Sequence, residues 1–125
     1  MTLAKKLGVF LFIVAIMVSS VALAALKLPE EIEAEFTQYP GSKVTNSTAA
    51  GSMFMASLDC GTDSVDEVFD YYKARIMEND WTIEFESKSE NNYSIKVNKE
   101  SLEGSVIVFS DGEATVVNLA IAVEE

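Results

Sequence analysis

The sequence predicts an α+β fold: one antiparallel sheet of about five to six strands, with a single main helix packed on one of its faces. Three observations carry this prediction. Residues 64–78 combine helix-capping residues with an apolar stripe of helical period. Several other segments alternate apolar and polar side chains, which is the period of two found in strands. Asp111-Gly112 is a strong signal for a tight hairpin turn between two such segments.

The chain begins with a segment whose composition sets it apart. Lys5 and Lys6 precede an uncharged, largely apolar run from Leu7 to Leu26. Residues 1–24 fit a cleaved signal peptide, because the basic start is followed by an apolar core and then by small residues at the exit.

The same run allows a second interpretation. Its 20 residues would extend about 30 Å as a helix, which is enough to cross a bilayer, so residues 7–26 could be retained as a membrane anchor. In both cases Lys5 and Lys6 stay on the cytoplasmic side. We therefore expect an extracytoplasmic protein, in the periplasm or at the cell surface, that is either secreted or anchored by this segment.

The rest of the chain divides near residue 38. Residues 25–38 are predicted to be a linker or a short amphipathic helix, since Leu28, Ile32 and Phe36 recur at every fourth position. Residues 39–125 are predicted to be the α+β domain, and their number suits one small domain with one core.

The predicted exported part is strongly acidic. The whole chain has 9 basic and 20 acidic residues, so loss of Lys5 and Lys6 leaves 7 basic residues and a net charge of −13. Such a surface repels nucleic acid and anionic lipid headgroups, and we expect no nucleic-acid partner. The chain has no histidine, which excludes Ser-His and Cys-His nucleophile pairs. The single cysteine, Cys60, excludes an internal disulfide; it is expected to be a small buried residue, with an intermolecular bridge or a free thiol as the alternative.

The predicted order of elements is β-β-α-β-β-β-β. A weak strand over Lys43–Thr48 and a stronger one over Ser52–Asp59 precede the helix. The last two strands, Ser105–Phe109 and Ala114–Val123, flank the Asp111-Gly112 turn.

The helix and the hairpin after it are defined by individual residues. Ser64 and Glu67 fit a capping box at the start of the helix, and Asn79 is predicted as its left-handed stop. In the hairpin, Trp81, Ile83 and Phe85 are predicted to lie on the same face as the apolar residues of the next strand, Tyr93, Ile95 and Val97. Trp81 is expected to seal the seam between the helix and the sheet.

Several of these motifs together resemble a recurrent small domain of bacterial envelope proteins. They are Tyr39-Pro40-Gly41-Ser42, a strand, Thr62-Asp63-Ser64 opening a helix that contains Tyr71-Tyr72-Lys73, and then Trp81. The resemblance covers about residues 39–123 and implies an exported or membrane-anchored α+β domain of an uncharacterised kind. Such domains usually carry glycine directly before the tryptophan, where this chain has Asn79-Asp80. The resemblance supplies no active-site residues.

Two clusters of side chains are candidates for a site. Oxygen-bearing side chains near the start of the helix could offer ligands to calcium: Asp59, Thr62, Asp63, Asp66 and Glu67. Helix capping explains them fully, their spacing does not fit a calcium-binding loop, and a helix N-terminus repels cations. The aromatic residues that could line a ligand pocket are Tyr71, Tyr72, Trp81, Tyr93 and Phe109. Core packing accounts for Tyr72 and Trp81, so the sequence gives no catalytic, cofactor-binding or metal-binding residue.

The far face of the sheet is the remaining candidate. If Met53, Met55, Val116 and Ala120 stay uncovered, they form an apolar patch that indicates a partner. The segment Leu28–Phe36 could instead cover this face.

The leading hypothesis is a non-catalytic envelope domain that binds a protein or a small molecule through the sheet face or an acidic edge. The alternatives are a structural accessory subunit tethered to the membrane by residues 7–26 and a small enzyme that uses carboxylates. An open apolar sheet face favours the first, a continuous helix from Leu7 through Phe36 favours the second, and a closed pocket holding two acids favours the third.

The signal-peptide hypothesis predicts a mature chain that starts near Ala25. Mass spectrometry of the native protein is expected to give that N-terminus in the fraction outside the cytoplasm. An intact Met1 in the membrane fraction would instead establish the retained anchor, and a free cytosolic protein would contradict both.

Overall fold

The computed structural model describes residues 26–124, which form two helices and six strands. The predicted signal peptide or anchor lies outside the described residues. The elements are, in chain order, α1 (Glu30–Glu35), β1 (Lys43–Ala50), β2 (Met53–Asp59), α2 (Val65–Glu78), β3 (Thr82–Ser89), β4 (Asn92–Lys99), β5 (Leu102–Ser110) and β6 (Thr115–Val123). In the described part of the chain, no helix is both long enough and apolar enough to cross a membrane.

All six strands belong to one antiparallel sheet with the spatial order β1-β2-β6-β5-β4-β3. Hairpins join β1 to β2 and run without interruption from β3 to β6, while α2 connects the two halves of the chain. The last strand then returns to the middle of the sheet, where Ala56 of β2 pairs with Leu119. The prediction of an α+β fold with one antiparallel sheet is confirmed.

The prediction of a single main helix on the sheet needs a correction, because α1 packs there as well. Ile32 and Phe36 have no exposed surface, and both belong to the same apolar core as α2. The two helices therefore cover one face of the sheet. Leu28–Phe36 does not cover the other face, which was the alternative left open by its sequence.

Gly104 on β5 makes room for the aromatic residues that join α1 to the sheet. A Cβ atom at this position would lie 3.2 Å from Phe36 Cζ and 3.3 Å from Trp81 Cη2. The two rings stack with their centroids 5.5 Å apart. Trp81 is 6% exposed, so it is buried as predicted, but its ring packs on Phe36 at the end of α1, and the seam that it seals is the one between α1 and the sheet. Truncation of a buried tryptophan typically costs about 3–5 kcal/mol.

Polar contacts around Glu35 reinforce the same seam. Its Oε1 accepts a hydrogen bond of 3.1 Å from Trp81 Nε1 and one of 2.6 Å from Lys99 Nζ. Lys99 also donates to the carbonyl oxygen of Asn79 at 2.9 Å, and Asn79 Nδ2 donates to the carbonyl oxygen of Glu35 at 2.7 Å. Since these side chains are partly buried, the contacts stabilise α1 more than an exposed ion pair would.

Helix α2 begins and ends where the sequence predicts, but its left-handed residue lies one position later than predicted. Ser64 and Glu67 form the capping box, with both reciprocal hydrogen bonds present. Asn79 was predicted as the left-handed stop, but its φ is −100°, and Asp80 holds the positive φ of 63°. The amide of Trp81 donates to the carbonyl of Ile76 at 3.1 Å, which is the hydrogen bond of a Schellman end with Asp80 in the left-handed position.

Replacing Asp80 with glycine is expected to stabilise the protein. Glycine adopts a positive φ without the steric cost that a side chain imposes, although it also loses more entropy on folding. We expect Asp80→Gly to raise the free energy of unfolding by about 0.5–1 kcal/mol, measured by denaturant titration. Asp80→Asn is the matched control, because it removes the charge and keeps a side chain. Equal stabilisation by both variants would contradict the conformational explanation.

Candidate functional site

The face of the sheet opposite the helices, called the open face below, carries the exposed apolar side chains of the strands. Its middle row crosses all six strands through paired residues: Thr48, Met55, Ala120, Ser105, Lys96 and Phe85. Met53, Met55 and Phe85 are 43%, 49% and 59% exposed. The prediction of an apolar patch at Met53, Met55, Val116 and Ala120 is therefore correct in position, with Val116 and Ala120 half-buried between their neighbours.

Phe85 reaches the open face through a β-bulge, which the alternation of its strand did not predict. Ile83 pairs with Val97, but Phe85 pairs with Lys96, so the register of β3 shifts at Glu84. A bulge places one extra residue on one strand and reverses the faces that follow. The sequence predicted that Phe85 lies on the same face as Tyr93, Ile95 and Val97. This prediction is wrong, because the bulge turns Phe85 to the open face. Glu86 instead lies on the face of the sheet that the helices cover, and its carboxylate is 3.1 Å from Lys73 Nζ of α2.

A groove with a cavity volume of about 330 Å³ runs along the middle of the open face. Its floor consists of small side chains on β5 and β6: Ser105, Ala120 and Ala122. Met53 lies on one side of this floor and Phe85 on the other. Small residues in two central strands, with Met53 on β2 and Phe85 on β3 to either side, thus produce an apolar depression in the surface of the sheet.

A second depression of about 270 Å³ adjoins the groove and shares its residues Ser105, Ile107 and Ala120. Its remaining lining is more polar and includes Asn46, Thr48, Ser57 and Asn118. Ser57 Oγ donates to Asn118 Oδ1 at 2.7 Å, so these two groups satisfy each other. The open face is therefore apolar toward Met53 and Phe85 and polar toward Asn46.

Two charged side chains line the groove, and two further carboxylates lie near them. Glu103 and Lys96 line it. Lys96 Nζ is 3.8 Å from Glu84 Oε1, and Asn98 Nδ2 donates to the other oxygen of Glu84 at 2.8 Å. Glu124 follows the end of β6, and the facing Glu103 carboxylate raises the pKa of its carboxyl group, with smaller contributions from desolvation and from Glu84. One cation and three carboxylates thus lie in or near the groove.

The acidic residues near the start of α2, considered for calcium, have structural partners. The capping box occupies Glu67, and Asp59 Oδ1 accepts from the amide of Gly61 at 2.8 Å. Asp63 accepts from the hydroxyl of Tyr39 at 2.6 Å, and Asp66 accepts from the hydroxyl of Tyr93. Among residues 26–124, acidic and cysteine side chains form no group of three that could hold a metal ion.

The hydrogen bond to Asp63 also affects Tyr39, because the charged acceptor favours the protonated phenol. Together with desolvation, this contact raises the pKa of Tyr39 to about 12. Neither Tyr39 nor the acids around it line the groove.

The aromatic residues considered for a ligand pocket are distributed over both sides of the sheet. Tyr72, Trp81 and Tyr93 are buried in the core, and Tyr93 packs edge-on against Phe69 at 4.6 Å between ring centroids. Tyr71 is half-buried, with its hydroxyl 2.8 Å from Thr37 Oγ1. Phe109 pairs with Val116 and lies on the open face beyond the groove. These residues therefore do not line a common pocket.

Cys60 is a buried free cysteine, which confirms the prediction of a small buried residue. Desolvation, followed by the negative charges of Asp59 and Asp63, raises the pKa of its thiol to about 12. A neutral thiol in this position is a poor nucleophile, since the reactive species is the thiolate.

The similarity of this chain to known proteins rests on one family. No curated protein and no solved structure matches it. The family model described as START domain-like matches residues 42–114, which include β1 to β5 and α2.

Cys60 is predicted to resist alkylation in the folded protein. At a pKa of about 12, only about one thiol in ten thousand is ionised at pH 8, and the side chain is also buried. Iodoacetamide is expected to leave native protein unmodified for hours and to label it quickly in denaturant, as followed by intact mass. Rapid labelling of native protein, or a disulfide-linked dimer, would contradict this.

The match covers more than half of the chain, so the chain belongs to the START domain-like family.

Proposed function

We propose that this chain is an exported, non-catalytic binding domain that takes an elongated apolar small molecule in the groove of its open face. The observation that carries the proposal is the absence of cover over this face in the described part of the chain. Met53, Met55 and Phe85 are exposed there, while both helices pack on the opposite side. Exposed apolar patches of this kind commonly mark binding sites.

The shape of the groove supports a small molecule as the ligand. Its volume of about 330 Å³ lies at the lower end of the range for ligand-binding pockets, about 300–1,000 Å³. The small floor residues Ser105, Ala120 and Ala122 leave room for a chain-like molecule between Met53 and Phe85. The START domain-like family has a fold of a ligand-binding type, and this also supports a small molecule as the ligand.

Sequence features support the export part of the proposal. The basic start and apolar run of residues 1–26 are typical of a signal or anchor. The resemblance of Tyr39-Pro40-Gly41-Ser42 and the following motifs to envelope domains agrees with it.

Binding rather than catalysis is favoured by the setting of the acidic groups. A pair of catalytic carboxylates needs an enclosed site that separates their pKa values. Glu103 and Glu124 are the closest candidates, but they lie at the end of a groove that is open to solvent. The chain also has no histidine to act as a base near neutral pH.

The tethered accessory subunit receives less support from the described residues. A stalk would need a helix that continues into Phe36, but Leu26–Pro29 is not helical and α1 begins at Glu30. Ile32 and Phe36 are also buried in the core of the domain, whereas a stalk would leave them outside it.

The groove is predicted to be the site of labelling by a photoactivatable alkyl glycoside. A diazirine at the end of a neutral decyl glycoside should label peptides from β2, β5 and β6 after illumination, as mapped by mass spectrometry of the native protein. Ala120→Trp should reduce this labelling about tenfold or more, which corresponds to about 1.4 kcal/mol of binding free energy, because the indole fills the groove floor.

Ala49→Trp is the matched control for this experiment. Ala49 is exposed on β1 and pairs with Phe54, so its side chain lies on the helix side of the sheet. We expect unchanged labelling in this variant. Labelling outside the open face, or equal loss in both variants, would contradict the proposed function.

A further inference from the structure

We propose that a second copy of this chain pairs with the outer edge of β1, antiparallel to it and about a two-fold axis at Thr48. This pairing joins the two six-stranded sheets into one continuous sheet. The inference goes beyond the proposed function, because it concerns how two copies assemble and does not require a ligand in the groove.

The two edges of the sheet differ in how they are protected against such pairing. Strands β1 and β3 are the edges, so each presents unpaired backbone groups on its outer side. Strand β3 carries Glu84, Glu86 and Lys88 and a bulge in its middle, which are features that discourage the addition of another strand. The bulge of β1 lies near its start, and the uncharged residues Asn46–Ala50 beyond it pair with β2 without interruption. Strand β1 therefore offers a regular edge without these features.

The distribution of charge favours a second copy as the partner at this edge. The predicted exported part has a net charge of −13, but there is no charged residue between Lys43 and Asp59 or within Thr115–Val123. Strands β2 and β6, which lie next to β1, are thus neutral along almost their whole length. Two copies repel each other over their acidic surfaces, whereas at the β1 edge they meet without facing charges. A basic partner would instead be attracted to the acidic parts of the molecule.

The side chains of β1 allow two identical strands to pair closely. A two-fold axis at Thr48 places this residue opposite Thr48 of the partner subunit, and threonine pairs of this kind are favourable across strands. In the same register Ser47 lies opposite Ala49, and Asn46 lies opposite Ala50. All of these side chains are small or neutral, so the strands can approach to the usual spacing of about 4.8 Å. The bulge at the start of β1 then ends the paired segment.

The proposed symmetry determines how the two open faces are arranged. A two-fold axis that relates antiparallel neighbours in one sheet is perpendicular to the sheet, so both copies keep the same face on the same side. The two grooves therefore open in one direction, and all the helices lie on the opposite side. Because the paired segment is short, we expect a weak and reversible dimer.

Sedimentation velocity of the native protein over about 1 µM to 1 mM, a range that covers weak association, tests the inference. We expect a monomer–dimer equilibrium. Thr48→Lys should raise the dissociation constant about tenfold or more, because it places two like charges opposite each other at the axis.

Ser87→Lys is the matched control. Ser87 is an exposed residue of the opposite edge strand, and it pairs with Ser94, which lines the groove on the open face. The substitution adds the same charge on the same face, and we expect dimerisation at least as strong as in the unmodified protein. A protein that stays monomeric up to about 1 mM, or equal weakening by both variants, would overturn the proposal.

Cross-linking provides a second test that does not depend on a charged substitution. Thr48→Cys with a short bismaleimide should give a covalent dimer far faster than Ser87→Cys at the same protein concentration, because only the first thiol lies at the axis. The buried Cys60 stays in both variants. Equal rates of cross-linking in the two variants would show that the copies do not meet at β1.

Discussion

The position of β6 is the constraint on which the rest of this structure depends. It is the last strand of the chain, but it lies in the middle of the sheet and pairs with β2 on one side and β5 on the other. Without it, the β1–β2 hairpin and the β3–β5 meander would be separate pieces, and an isolated two-stranded hairpin is marginal in water. Its alternate residues serve both layers: Val117, Leu119 and Ile121 are buried in the core, while Ala120 and Ala122 form part of the groove.

One face of the sheet is buried and the other is exposed, because both helices pack on the same face. A sheet needs cover on one face to form a core, and α1 and α2 both supply it to the same face. Gly104 and the contacts of Glu35 with Trp81 and Lys99 determine where α1 lies. Because α1 is engaged there, the opposite face has no element from residues 26–124 to cover it. The groove is thus a consequence of how the core is completed.

Periodicity predicted most of the elements, because helices and strands impose different spacings on apolar residues. It also placed Met53 and Met55 correctly on the second face of the sheet. It failed at Phe85, since a bulge changes the register without any sign in the alternation of Thr82 to Glu86. The face on which Leu28–Phe36 packs depends on Gly104 and Trp81, which are remote from this segment in sequence. The central position of β6 depends on its pairing with β2, which is also a contact between remote residues. The carboxylates near the groove lie on β3, on β5 and directly after β6, and they could not be grouped before the strand order was known.

The bulge at Glu84 has a consequence for how such a surface can diverge. One inserted residue decides whether the outer half of β3 presents Phe85 or its neighbours to the groove. A change in strand length by a single codon would therefore exchange a whole set of side chains between solvent and the helix layer. Ligand preference in chains of this architecture could change abruptly through insertion or deletion in β3, with every other strand left intact.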